Sequence, residues 1–147
     1  MVNILRANPK HLPLVLPLFD AYRVFYKQAS DLEAAREFLR QRISRNESVI
    51  FLAMEGDNAI GFTQLYPIFS SVSMAPVYLL NDLFVKDSER GKGIGESLLN
   101  HAKNFCKESG FKGLALETAI DNPAQKLYER LGWFKDVHCF HYFWTAQ

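Results

Sequence analysis

The reading turns on one stretch, Asn81 to Asn104: NDLFVKDSERGKGIGESLLNHAKN. Leu83-Phe84-Val85 closes an apolar run that begins at Val77, long enough for a buried strand. Lys86 to Arg90 interrupts it with five polar residues. From Ile94 the apolar positions fall at Leu98, Leu99, Ala102, Phe105 and Cys106, the spacing of one helix face. Gly110 follows, where a left-handed residue commonly ends a helix. Between strand and helix stand Arg90, Gly91, Gly93 and Gly95. The first turn of a helix leaves its backbone N–H groups unpaired and carries about half a positive charge. Glycines remove the Cβ atoms that would hold a phosphate away, and they allow backbone angles closed to other residues. Arg90 and Lys92 bring formal charge to the same place. The pattern predicts a phosphate guest, and a diphosphate suits such a row of donors.

Two common phosphate loops do not fit. A Walker loop needs a Lys-Ser or Lys-Thr pair after its glycines, and none follows here. A dinucleotide fingerprint needs G-x-G-x-x-G, whereas Gly91, Gly93 and Gly95 alternate. Arg90-Gly91-Lys92-Gly93-Ile94-Gly95 instead resembles the R/Q-x-x-G-x-G/A signature of the GNAT superfamily of acyl-CoA-dependent N-acetyltransferases. Downstream, the segment Asp121 to Trp133, DNPAQKLYERLGW, resembles the family's N-x-x-A-x-x-x-Y-x-x-x-G-F/W motif. The resemblance runs from about Val77 to Trp133. A glycine-rich turn with no ligand accounts for the first motif but not for both in order.

The rest of the chain bounds the class. Its 147 residues predict one domain with a real core, and 48% hydrophobic with 14% aromatic content argues against disorder. A net charge of +1 points to no nucleic-acid groove and no anionic-membrane surface. Cys106 and Cys139 are too few for a disulfide framework or a zinc site, so no metal is expected. MVNILRANPK has no apolar signal core, and no apolar run reaches membrane-spanning length. A cytoplasmic protein is expected.

Taken in order, Val2 to Arg6 predicts a first strand. Asn8-Pro9 is a helix-start pair, and Pro17 calls for a kink or a later start. Ser30-x-x-Glu33 reads as a capping box for a second helix reaching about Ile43. Ser48 to Met54 and Ala59 to Tyr66 form a hairpin around Glu55-Gly56-Asp57-Asn58. Gly113 to Thr118 is a strand, Asp121 to Leu131 a short helix, and the aromatic-rich Trp133 to Thr145 a final strand. The order is mixed α/β. The resemblance implies a GNAT-like fold: a central mixed twisted sheet of about six to seven strands with flanking helices, splayed between the fourth and fifth strands.

That fold implies chemistry. In the family, the pantetheine arm of acetyl-CoA lies in the splay, along Leu83, Phe84 and Val85, with the Leu83 N–H facing the thioester carbonyl. An N–H fixed there stabilises negative charge as an amine attacks. Arg90, Gly91, Lys92, Gly93, Ile94, Gly95 and Glu96 are the implied phosphate cradle. Asp121, Asn122 and Gln125 are implied contacts further along. The family Asn stands seven residues before its Tyr; here that position is Asp121, and Asn122 lies six before Tyr128, so either can serve. Tyr128 is the implied proton donor to the leaving thiolate, unless it merely packs with Leu127 and Leu131.

The base is open. Related diamine acetyltransferases carry an acid where this chain has Asn81. Asp82 is next door, but strand alternation turns it to the opposite face unless a bulge intervenes. Glu117 is the second candidate, and a base acting through water, or no base at all, is the third. Tyr22 and Tyr26, one turn apart, are the expected acceptor-site wall with Asn81, able to hold an ammonium by ring face or hydroxyl. The expected acceptor is a small-molecule amine. The competing readings are a silent acyl-CoA sensor and a protein-amine acetyltransferase. The alternating rings of Phe140, Tyr142 and Trp144 predict a homodimer covering the last strand.

Overall fold

Five strands form one sheet in the order β1 to β5: Val2–Arg6, Val49–Glu55, Asn58–Ser70, Ala75–Val85 and Leu114–Ala115. The first three pairings are antiparallel and the last, β4 with β5, is parallel. The computed structural model describes residues 1–147, which divide into two units, Met1–Glu117 and Thr118–Gln147. The sheet belongs wholly to the first. The second holds one short helix, α4 (Gln125–Arg130).

The sheet is covered on both faces, which explains why β2 reads as an unbroken apolar run. Its Ile50, Leu52 and Met54 join one buried cluster with Val15, Leu18 and Phe19 of helix α1 (Leu12–Phe25) and Leu39 of α2 (Leu32–Ser44). Alternation turns Phe51 the other way, onto the rings of His101 and Phe105 in α3 (Ile94–Glu108). A turn at Gly56-Asp57, with Glu55 opposite Asn58, joins β2 to β3 as the sequence predicts.

Several expectations are corrected. At the first helix the later start holds: Asn8 caps a 3-10 turn at Pro9–His11, and α1 begins at Leu12 with Pro17 inside it. The cap of α2 is Asp31, whose side chain accepts from the Ala34 N–H at 3.1 Å, not Ser30. The Ser30 hydroxyl is taken instead by the buried Asp20 carboxylate (2.6 Å), which also accepts the Asp31 N–H (3.0 Å). Those two bonds hold the Asp20 carboxyl below the usual carboxylate range and tie α1 to the start of α2.

The fifth strand is shorter than Gly113 to Thr118, because only Tyr78 and Leu79 offer it a ladder. The helix drawn over Asp121 to Leu131 is confined to Gln125–Arg130. No strand forms over Trp133 to Thr145, so the sheet has five strands rather than six or seven. Alternating rings supply a strand's pattern, but a strand also needs a neighbour's backbone. Here Phe140, Tyr142 and Trp144 are exposed.

Candidate active site

β4 does not run straight. Leu65 pairs with Leu80 and Gln64 with Asp82, so Asn81 is an extra residue in β4, a β-bulge. Strict alternation would turn Asn81 and Asp82 to opposite faces. At the bulge their side chains meet, Asn81 Nδ2 donating to Asp82 Oδ1 at 2.7 Å. Across the ladder Gln64 Nε2 donates to Asp82 Oδ2 at 2.6 Å, and the Thr63 hydroxyl donates to the Asp82 carbonyl at 2.8 Å. On α1 the Tyr22 hydroxyl donates to the Asn81 carbonyl at 2.9 Å. The bulge is thus fastened from β3 and from α1.

Asp82 is 1% exposed. Burial pushes its carboxyl up to about 6, and the amides of Asn81 and Gln64 restrain the rise by stabilising the anion. The same burial, with the Asp82 charge adding to it, raises the Tyr66 phenol above its ordinary value. Asp82 lines a cavity of about 350 Å³ whose aromatic walls are Phe19, Tyr22, Phe38 and Tyr66. A buried carboxylate near neutrality, opening on a cavity of small-molecule size, can take a proton from an amine held there.

The second feature lies beyond the end of the β4–β5 ladder. That ladder holds only Tyr78 with Leu114 and Leu79 with Ala115; Leu80 to Val85 continue past it. The loop after β4 runs into α3, whose N-cap is Gly93 in the left-handed conformation (φ 79°), with no side-chain cap. Gly91 is also left-handed (φ 78°), and a Cβ built on either glycine meets nothing within 4 Å. An uncapped first turn of α3 beside open, side-chain-free loop backbone suits the phosphate end of acetyl-CoA. Gly95 lies within α3 and needs no special conformation. The formal charges do not point freely at this loop: Arg90 pairs with Asp87 (3.2 Å) and donates to the Val85 carbonyl (3.0 Å), while Lys92 pairs with Glu89 (2.8 Å).

Residues 15–133 match the Acetyltransferase (GNAT) family. The chain belongs to that family. It is therefore an acetyltransferase enzyme, and GNAT enzymes take acetyl-CoA as acyl donor. An uncharacterized N-acetyltransferase of Bacillus subtilis (strain 168), YhfO, is 48% identical over 142 residues, covering 96% of this chain and 95% of that one. A crystal structure of a probable acetyltransferase superposes with a TM-score of 0.92 at 40% identity, over 99% of this chain and 98% of the other. An aminoglycoside N-acetyltransferase in complex with CoA shares the fold at a TM-score of 0.82 and 21% identity, over 99% of this chain and 96% of that one.

As a GNAT member, the first unit brings Tyr22, Asn81 and Asp82 to one cavity. Tyr26 does not line it and packs edge-on against the Tyr22 ring, 5.0 Å between centroids. Glu117 is exposed, three-dimensionally a strand-end carboxylate past β5. In the second unit Asn122 Oδ1 accepts the Ala124 N–H at 2.9 Å, so its carbonyl oxygen is occupied locally. Asp121 is exposed. Gln125 Nε2 donates to the carbonyls of Ala119, Ile120 and Asn122, folding the turn before α4. Tyr128 sits on α4, half-buried, its ring edge-to-face with Trp133. Sequence reading missed Gln64 and Tyr66. Their signal was polar Thr63-Gln64 inside an otherwise apolar strand.

No helix of the chain is long and apolar enough to cross a membrane.

Proposed function

We propose that this enzyme moves an acetyl group from acetyl-CoA to the primary amine of a small molecule by direct attack, with Asp82 as the base. The observation that carries the reading is the bulge at Asn81, which brings a buried carboxylate to a small aromatic cavity. The glycine loop and the uncapped start of α3 are the proposed cradle for the donor's diphosphate, and Leu83 to Val85 the proposed rail for its pantetheine arm. The CoA complex of the aminoglycoside enzyme supports the choice of donor.

When bound, acetyl-CoA supplies an activated acetyl group on sulfur. The acceptor nitrogen forms a bond to the acetyl carbon as the carbon–sulfur bond breaks. Asp82 first takes the proton that frees the nitrogen lone pair of the bound ammonium and later releases it to solvent. After the attack the second N–H proton leaves to solvent, and Tyr128 gives one to the sulfur and regains one from solvent. The downstream motif supports that role for Tyr128. Glu117, exposed and past the ladder, is the weaker base.

Thiol release measured across a panel of amines tests the reading. Turnover on at least one small amine, lowered about 10³-fold in Asp82→Asn, is expected. Tight acetyl-CoA binding with no turnover on any acceptor would instead make the chain a sensor module, and turnover only on a protein or peptide N-terminus would make it a protein-amine acetyltransferase. The cytoplasm, where acyl-CoA is made, is the compartment this function needs. We also infer a C2 homodimer from the exposed rings of Phe140, Tyr142 and Trp144. Light scattering giving a mass near 16.9 kDa, that of one chain, would remove that inference.

A further inference from the structure

Two charged residues line the proposed acceptor cavity, Asp82 and Arg23. Asp82 comes from the bulge of β4 and Arg23 from the last turn of α1. Arg23 Nη1 donates to the Ala29 carbonyl at 3.1 Å, which holds its head at the α1–α2 connection. Ala34 and Ala35, in the first turns of α2, line the same cavity. An arginine offers five N–H donors in a planar fork that matches a carboxylate. The buried Asp20 feels the Arg23 charge, yet its oxygens are engaged by Ser30 and Asp31, and no ion pair joins the two residues. The guanidinium is held by a carbonyl and makes no direct ion pair, the Asp20 charge acting on it only from beyond contact distance.

We infer that the acceptor is a zwitterion, an amine that also carries a carboxylate, with Asp82 receiving the amine and Arg23 the carboxylate. This rests on the acetyltransferase reading with Asp82 as base. Charge decides against the other amine classes. A diamine, polyamine or aminoglycoside brings a second ammonium that needs a second acid, and Asp82 is the only acid lining the cavity. Arg42, over the Phe38 ring at 4.6 Å, is already paired with Glu47 at 3.0 Å, so the charge left to meet a second ammonium in the lining is that of Arg23. A second ammonium there meets like charge, which costs affinity. Between the two charged ends the walls are aromatic or alanine apart from Asn81 beside Asp82, so the acceptor's remaining surface is mainly apolar. An α-amino acid with an apolar side chain satisfies all three demands, and about 350 Å³ is room for one.

The test uses matched acceptors: leucine and phenylalanine, their amides, their decarboxylated amines, and spermidine. Steady-state thiol release is measured on the wild type, Arg23→Met and Arg23→Lys, each checked for folding by circular dichroism. We expect kcat/KM for the amino acids to exceed that for the amides and amines by at least about tenfold, equivalent to 1.4 kcal/mol. Arg23→Met should raise the KM for the amino acids by a similar factor, leave the KM of the uncharged-end amines within about twofold, and hold kcat nearly constant. Arg23→Lys should recover part of the lost affinity, since charge remains and the fork does not. Equal or better use of amides, amines or spermidine, with Asp82-dependent kcat, would overturn the zwitterion and leave the acetyltransferase reading intact. An equal loss on every acceptor in Arg23→Met would also overturn it, marking Arg23 as a packing residue. No turnover on any acceptor, with acetyl-CoA still bound, would overturn both readings.

Discussion

The glycine loop and the aromatic cavity, the proposed donor and acceptor sites, are built in opposite ways. In the loop the proposed donors are backbone N–H groups, at a turn where Gly91 and Gly93 adopt left-handed angles and carry no Cβ. Its charged side chains are turned to local partners, Asp87 and Glu89. In the cavity the chemistry belongs to side chains, and one extra residue in β4 decides which of them reaches it. The first device is local and tolerates drift in the side chains around it. The second is non-local: Asp82 depends on Gln64, 18 positions earlier, and on the Tyr22 hydroxyl 59 positions before Asn81. Substitutions in the loop should therefore act on donor affinity, and substitutions at the bulge on turnover.

The largest effect is expected at Asp82. Asp82→Asn keeps the side chain's shape and removes the proton acceptor, and Gln64 Oε1, buried without a partner, can turn to accept the new amide. We expect kcat to fall about 10³-fold, within the range of general-base contributions, with acetyl-CoA affinity within about twofold. Calorimetry and steady-state kinetics on the same preparation separate the two. A matching loss in donor affinity would break the division between loop and cavity.

Tyr128→Phe should come next, lowering kcat about 10²-fold at the low end for a general acid and again sparing donor binding. Equal kcat in both proteins would leave Tyr128 as a ring packed on Trp133.

The smallest effect is the loop's. Gly93→Val places a branched side chain at a left-handed position, in space where donor phosphates approach. The acetyl-CoA Kd should rise at least about tenfold while kcat at saturation stays near the wild-type value. Unchanged affinity in a folded variant would remove the cradle.

What the sequence revealed follows the same division. The loop was legible because its spacing, Arg90 to Gly95, is contiguous, and so were α3, with its apolar face, and the hairpin at Gly56-Asp57. The start of α2 was misread because Ser30 and Asp31 are both good caps, and only the buried Asp20, eleven residues before Asp31, draws the Ser30 hydroxyl away. The terminal strand failed because alternation over Trp133 to Thr145 describes side chains alone. Asp82 was named as a candidate on condition of a bulge. Register between β3 and β4 is fixed by pairing along both strands, and no local pattern at Asn81 announces it.

The central claim is that the bulge buries the Asp82 carboxylate at the acceptor cavity and tunes it to work as a base near neutrality. Its most direct test is the titration of that one carboxyl, followed by carbon-13 NMR and assigned by its loss in Asp82→Asn. Burial disfavours the anion, so the pKa should lie at about 6. Below that value Asp82 is protonated and cannot accept, so kcat/KM should fall with it. A carboxyl titrating near 4, as on an exposed strand, would mean that Asp82 is neither buried nor poised, and would contradict the account.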